Sequence, residues 1–172
     1  MTPLIHVTPL SRLSETLRHS GAVYRVSMAS PDAAASREAD RGSGQVLRLV
    51  FHDIAEERPG LVAPTEGDVA ALLDFARQWA GRGALVINCY AGISRSPAAA
   101  FIVAAALQPG RDEAELAMAL RRRAPAATPN ARLVELADAL LQRNGRMTAA
   151  IRAIGRGVDA FEGEPFTFPH DT

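Results

Sequence analysis

Ala84-Leu85-Val86-Ile87-Asn88-Cys89-Tyr90-Ala91-Gly92-Ile93-Ser94-Arg95-Ser96-Pro97 opens on an apolar run and closes on a proline. Ala84 to Ile87 reads as a short, fully apolar strand, and Asn88 to Arg95 as a loop. Pro97 suits the first turn of a helix, where its missing N–H costs nothing, and Ser96 is the expected N-cap. The helix that follows is nearly all apolar and should lie deep against a sheet. Its run ends near Pro109-Gly110.

Working outward, the strand and helix patterns alternate. Strands are expected at Leu4 to Val7, Ala22 to Met28 and Val46 to Phe51, the last as a buried strand. Helices are expected from Ser11 to His19, from Thr65 or Glu66 to about Ala80, and from Asp112 to about Arg123. A further helix should be capped by Thr128 and run to about Gln142, and a weak one should cover Arg146 to Arg156. Ser30 to Gly44 reads as an exposed loop or short helix, Ala55 to Thr65 as a loop, and Glu162 to Thr172 as an extended, partly mobile tail. The alternation implies an α/β layered domain with a mostly parallel sheet flanked by helices. With no repeat or linker, the expectation is a single domain over 1–172 with an extended tail at 162–172.

Composition narrows the function classes. The formal net charge is zero, which gives no pull toward nucleic acid or an anionic membrane. All 19 basic side chains are arginine, so a lysine-bearing phosphate loop and Schiff-base chemistry are both excluded. The longest apolar run, Pro97 to Leu107, is short of the roughly 20 residues that span a bilayer. There is no signal-peptide pattern, and the single cysteine has no partner for an internal disulfide, so a cytoplasmic protein is the default expectation. His6, His19, His52 and His170 are scattered without ligand spacing, and neither a metal nor a cofactor is expected.

The loop itself carries the chemistry. The N–H groups of a helix's first turn are unpaired and partly positive, and a tight strand-to-helix turn can curl successive N–H groups around an anion. Gly92 supplies the permissive backbone. Arg95 adds a planar guanidinium suited to paired bonds with phosphate. The same field favours the thiolate of Cys89, the form that attacks phosphorus. A cysteine and an arginine with five residues between them can wrap a tetrahedral oxyanion with sulfur at its base.

These residues resemble the signature of the protein tyrosine phosphatase superfamily, His-Cys-x-x-Gly-x-x-Arg-Ser/Thr. The match falls at Cys89, Gly92, Arg95 and Ser96; Asn88 stands where the family usually has histidine. Gly92-Ile93-Ser94-Arg95-Ser96-Pro97 resembles the dual-specificity branch, as does Arg121-Arg122-Arg123 followed by Pro129-Asn130. The resemblance spans roughly Val46 to Leu141. It implies a phosphate monoester hydrolase in which Cys89 is the nucleophile and Arg95 grips the phosphate. Ser96 would direct its hydroxyl at the sulfur, and Asn88 would support the loop. Tyr90, Ala91, Gly92, Ile93 and Ser94 would bind substrate mainly through backbone N–H groups.

The branch also implies a general acid on a loop after a sheet strand, and Asp53 follows Val46 to Phe51 at the expected distance. Glu56, Glu57 and Asp68 are fallback acids, and His52 either orients Asp53 or simply ends the strand. Arg121 to Arg123 read as a solvated helix end, with a second anion site as the alternative. Tyr90, Ala91, Ile93 and Ser94 bring no basic side chain, which favours a phosphorylated protein or small phosphomonoester over a polyphosphorylated lipid. The rival readings are a catalytically weak phosphate-binding module, motivated by Asn88, and a sulfurtransferase. Oligomeric state is left open.

Overall fold

The computed structural model describes residues 4–35 and 44–169. Four parallel strands, β1 (Leu4–Pro9), β2 (Tyr24–Ala29), β3 (Gln45–Val50) and β4 (Leu85–Cys89), form a sheet that a fifth strand, β5 (Phe166–Pro169), closes at one edge. The order is β3-β2-β4-β1-β5, with β5 antiparallel to β1. Seven helices intervene: α1 (Leu13–Ser20), α2 (Pro31–Ala35), α3 (Glu66–Trp79), α4 (Arg95–Leu107), α5 (Glu113–Arg123), α6 (Ala131–Leu140) and α7 (Arg146–Ile154). Among the described residues, no helix is long and apolar enough to cross a membrane.

The alternation along β1 divides the layers. Ile5 and Val7 are buried in the main core with Val26, Met28, Leu85 and Ile87. On the opposite face Thr16 of α1 donates its hydroxyl to Thr8 at 3.0 Å. Helix α4 fills the centre of the main core. Arg95 through Ala105 are all buried, and the alanines at 98–100, 104 and 105 let neighbouring backbones approach closely. Helix α3 begins with a reciprocal capping box between Thr65 and Asp68.

Several expectations need correction. Strand β3 is an edge strand, not a buried one: only Leu49 is fully buried, and Arg48 and Val50 face solvent. Helix α4 begins earlier than expected, with Ser94 at the N-cap position in place of Ser96. Helix α6 is capped by Asn130, whose Oδ1 accepts from Leu133 N at 3.0 Å, in place of Thr128. The tail is extended as expected, but in place of partial mobility it pairs with β1 over Phe166–Pro169 and buries Phe168. Within Ser30–Gly44, expected as an exposed loop or short helix, 31–35 is a short helix; 36–43 lies outside the described residues, as do 170–172 and with them His170.

Arg121 is not a solvated helix end either. Its guanidinium donates to the carbonyls of Pro125 and Ala127 at 2.8 Å each and to that of Gly155 at 2.8 Å. Arg123 reaches the Thr167 carbonyl at 3.1 Å, leaving only Arg122 exposed without such a bond among the described residues.

Candidate active site

In a parallel sheet all strands finish at the same edge, and ligands sit beyond those C-terminal ends. Here Pro9 pairs with Cys89, Ser30 follows β2, and Phe51 to Asp53 follow β3. Cys89 is the last residue of β4 and is buried. Its Sγ lies 3.1 Å from Ser96 Oγ and accepts the N–H of Gly92 at 3.2 Å. The sulfur therefore meets one backbone N–H from the middle of the loop and a hydroxyl from the first turn of α4.

The loop is held from outside through its carbonyls. Tyr90 O accepts from Leu10 N at 3.0 Å, and Ala91 O from Gly163 N at 2.8 Å. Ile93 O accepts from Thr128 N at 2.8 Å, and Ser94 O from Asn130 N at 3.2 Å. In a trans peptide the C=O and the following N–H point opposite ways. Tying those carbonyls outward turns the N–H groups of Ala91, Gly92, Ser94 and Arg95 the other way, and for Gly92 that direction is the sulfur. Gly92 has φ +69°, and a Cβ there would lie 2.9 Å from Pro9 N, so both conformation and space demand glycine.

Arg95 opens α4 and is only 5% exposed. Its Nη1 donates to the Phe51 carbonyl at 2.9 Å and to Ser30 Oγ at 3.3 Å. Its Nε is buried and has no partner among the described residues. A buried donor of a cation left unpaired is costly unless an anion completes it. The guanidinium is thus braced by one arm and open at Nε, beside a loop of inward N–H groups. This arrangement can hold a tetrahedral oxyanion over Sγ.

Asp53 is exposed and lies against this loop. Its Oδ1 accepts from Ser94 Oγ at 2.7 Å and from Asn130 Nδ2 at 2.9 Å; Oδ2 has no hydrogen bond among the described residues. The turn that carries it is closed by His52, whose N–H donates to Val62 O at 2.7 Å while its Nδ1 accepts from Val62 N at 2.8 Å. His52 therefore pins the base of the acid-bearing loop and makes no bond to Asp53. The fallback acids are engaged elsewhere or stand apart. Asp68 closes the cap of α3, Glu57 pairs with Arg132 at 3.3 Å, and Glu56 is exposed without a bond to the loop.

The loop side chains divide. Tyr90 is 60% exposed beside the site, whereas Gly92 is buried and Ala91, Ile93 and Ser94 are half-buried. Beyond the backbone N–H expected of Ser94, its hydroxyl holds Asp53. Asn88 departs further: it is fully buried, and neither amide atom has a partner among the described residues, so it braces nothing in the loop. Sequence reasoning missed Asn130 as a holder of Asp53 and Gly163 as a donor to the loop. The signal for the first was present, because an asparagine after proline at a helix start is a capping residue with an amide N–H₂ to spare.

No family model matches the chain, and no curated protein matches it. Solved structures do. One, described as Tk-PTP in the active form, superposes with a TM-score of 0.54 at 18% identity, covering 83% of this chain and 93% of that one. Another, PTPMT1 in complex with PI(5)P, gives a TM-score of 0.55 at 19% identity, covering 88% and 94%. At such identities the likeness is one of fold.

Proposed function

We propose that this chain, which has the protein tyrosine phosphatase fold, is a phosphoric monoester hydrolase working through a phosphocysteine at Cys89. The observation that carries the reading is that one loop brings the Gly92 N–H to 3.2 Å from Cys89 Sγ and leads into a helix whose first residue, Arg95, is braced through Nη1 and keeps a buried Nε without a partner among the described residues. In the first step the Cys89 thiolate attacks phosphorus, the S–P bond forms and the P–O bond to the leaving group breaks. The leaving oxygen takes a proton from Asp53. Arg95 and the loop N–H groups stabilise the charge on the three equatorial oxygens. In the second step Asp53, now a carboxylate, accepts a proton from water whose oxygen attacks phosphorus. The S–P bond breaks, its electron pair returns to sulfur, and Ser96 donates its hydroxyl to the thiolate so formed.

For substrate we infer a phosphorylated protein or a small aryl or alkyl phosphate, in the manner of the dual-specificity branch. PTPMT1 was solved with a phosphoinositide. In this chain Tyr90, Ala91, Ile93 and Ser94 supply no cationic side chain for further phosphates. A catalytically slow phosphate-binding module is the second reading, and the unpartnered amide of Asn88 favours it. Rapid alkaline denaturing quench with a 32P-labelled aryl phosphate separates the two. The enzyme reading expects a label on Cys89 that is stable in alkali and lost in mild acid, and none on Cys89→Ser. Vanadate or phosphate binding with no label and no turnover would replace it by the binding module.

A further inference from the structure

The segment from Gly155 to Pro165 follows α7 and returns along the outer side of the phosphate loop before β5 joins the sheet. Its attachments are specific. Gly157 N–H donates to Thr128 Oγ1 at 3.0 Å, and Val158 N–H to the Pro125 carbonyl at 3.0 Å. Gly163 N–H donates to Ala91 O at 2.8 Å. One residue earlier, both carboxylate oxygens of Glu162 lie 2.9 Å from the Ser11 hydroxyl, on the turn whose Leu10 N–H holds Tyr90 O. Gly163 is buried, and a Cβ on it would lie 2.7 Å from Gly92 O. Backbone contact that close leaves no room for the strap to shift inward.

From this geometry we propose that Gly163, latched by Glu162 to Ser11, is a positioning element for the site, setting the Ala91–Gly92 peptide so that the Gly92 N–H meets Cys89 Sγ. The reasoning is the planarity of that one peptide. Its oxygen is taken by Gly163 from outside, and its N–H is thereby aimed at the sulfur. Release the oxygen, and the peptide is free to rotate, as glycine at 92 allows on one side. An inward N–H then becomes an inward carbonyl, which repels both thiolate and phosphate. The proposal rests on Cys89 and its loop as the anion site, so its test needs a readout that does not require turnover.

Cys89 is the sole cysteine, so iodoacetamide reports on its thiolate directly. In the Gly163→Ala protein, the ratio of Cys89 alkylation to that of free cysteine under the same conditions is expected to fall by about threefold or more relative to wild type, because the Gly92 N–H no longer meets the sulfur. Inhibition of alkylation by inorganic phosphate should weaken in parallel. Glu162→Ala is expected to move both readouts the same way, and Glu162→Gln, which keeps an acceptor for Ser11, to recover most of the loss. Arg156→Ala, which removes an exposed pair with Asp159 on the same strap, serves as the control and should change neither. If Gly163→Ala does not fold, Glu162→Ala and Ser11→Ala decide the matter. Folded variants with the wild-type alkylation ratio and phosphate protection would overturn the proposal. Absence of aryl phosphate hydrolysis by wild type would sink the enzyme reading alone and leave these readouts interpretable.

Discussion

Asn130 holds Asp53: its Nδ2 donates to the carboxylate Oδ1 at 2.9 Å, while its own Oδ1 accepts the Leu133 N–H and caps α6. One side chain thus ties the acid-bearing loop to a helix start. The two roles are separable. Asn130→Ala should lose both, at about 1 kcal/mol for the cap, together with a fall in kcat. Asn130→Asp keeps an acceptor for Leu133 but faces Asp53 with a second carboxylate, so it should melt close to wild type and still lose turnover. Thermal melts alongside aryl phosphate kinetics read the difference; an Asn130→Asp variant that keeps both its stability and its kcat would make Asn130 a cap only.

The proposed general-acid role of Asp53 predicts a leaving-group signature. Asp53→Asn should cost about 10²-fold or more in kcat when the leaving group is an alcohol or simple phenol that needs a proton. With p-nitrophenyl phosphate, whose leaving group departs as the anion, the loss should be far smaller. A loss independent of leaving-group basicity would point to a structural role for Asp53.

Gly92→Ala tests the left-handed turn of the loop. The φ of +69° costs an alanine about 1–2 kcal/mol, and its Cβ would also press on Pro9 N at 2.9 Å. The loop must open to accommodate it, which moves the N–H away from Cys89. The expected outcome is loss of phosphate protection and of turnover with a modest drop in melting temperature. Calorimetry with phosphate titration provides both readings.

Far from the site, Glu113 is 4% exposed and is bonded by Arg143 at 2.8 Å and Arg146 at 3.2 Å. Burial pushes its carboxyl up and is the largest single influence. The bonds from Arg146, its own backbone and Arg143, with the Arg146 charge, together outweigh burial and hold it below its ordinary 4.5. A carboxyl lowered on folding stabilises above its unfolded value, and that stabilisation is lost as pH falls through the folded value. Glu113→Ala should therefore destabilise by about 3 kcal/mol at pH 7, with the gap to wild type closing in urea melts taken below pH 4.5. A gap that does not change with pH would show that packing, not charge, carries the effect.

The sheet, the helix order and the loop of Cys89 were legible because each is written in neighbouring residues. Four-residue apolar periods, Gly and Pro stops, and the spacing of Cys89, Gly92 and Arg95 need no distant information. That Asp53 lies against the loop was legible by resemblance and from its place after a strand. Strand β3 misread as buried because an apolar run looks alike at an edge and at a centre, and only strand order tells them apart. Arg121 misread because three arginines at a helix end satisfy the helix dipole as well as they satisfy distant carbonyls.

By itself, then, the sequence determined a mostly parallel α/β layer and a strand-to-helix loop after β4 that carries Cys89 and Arg95. The tertiary structure decided what holds those groups in place. Ser94 and Asn130 meet Asp53, Gly163 meets Ala91, and Phe51 braces Arg95 across separations of 41 to 77 residues along the chain for those that join side chains at the site. Such bonds follow from several strands ending at one edge, a property of the assembled sheet. A local pattern can place a thiol before a helix, but the direction of each loop N–H depends on what, from elsewhere in the chain, takes the carbonyl behind it.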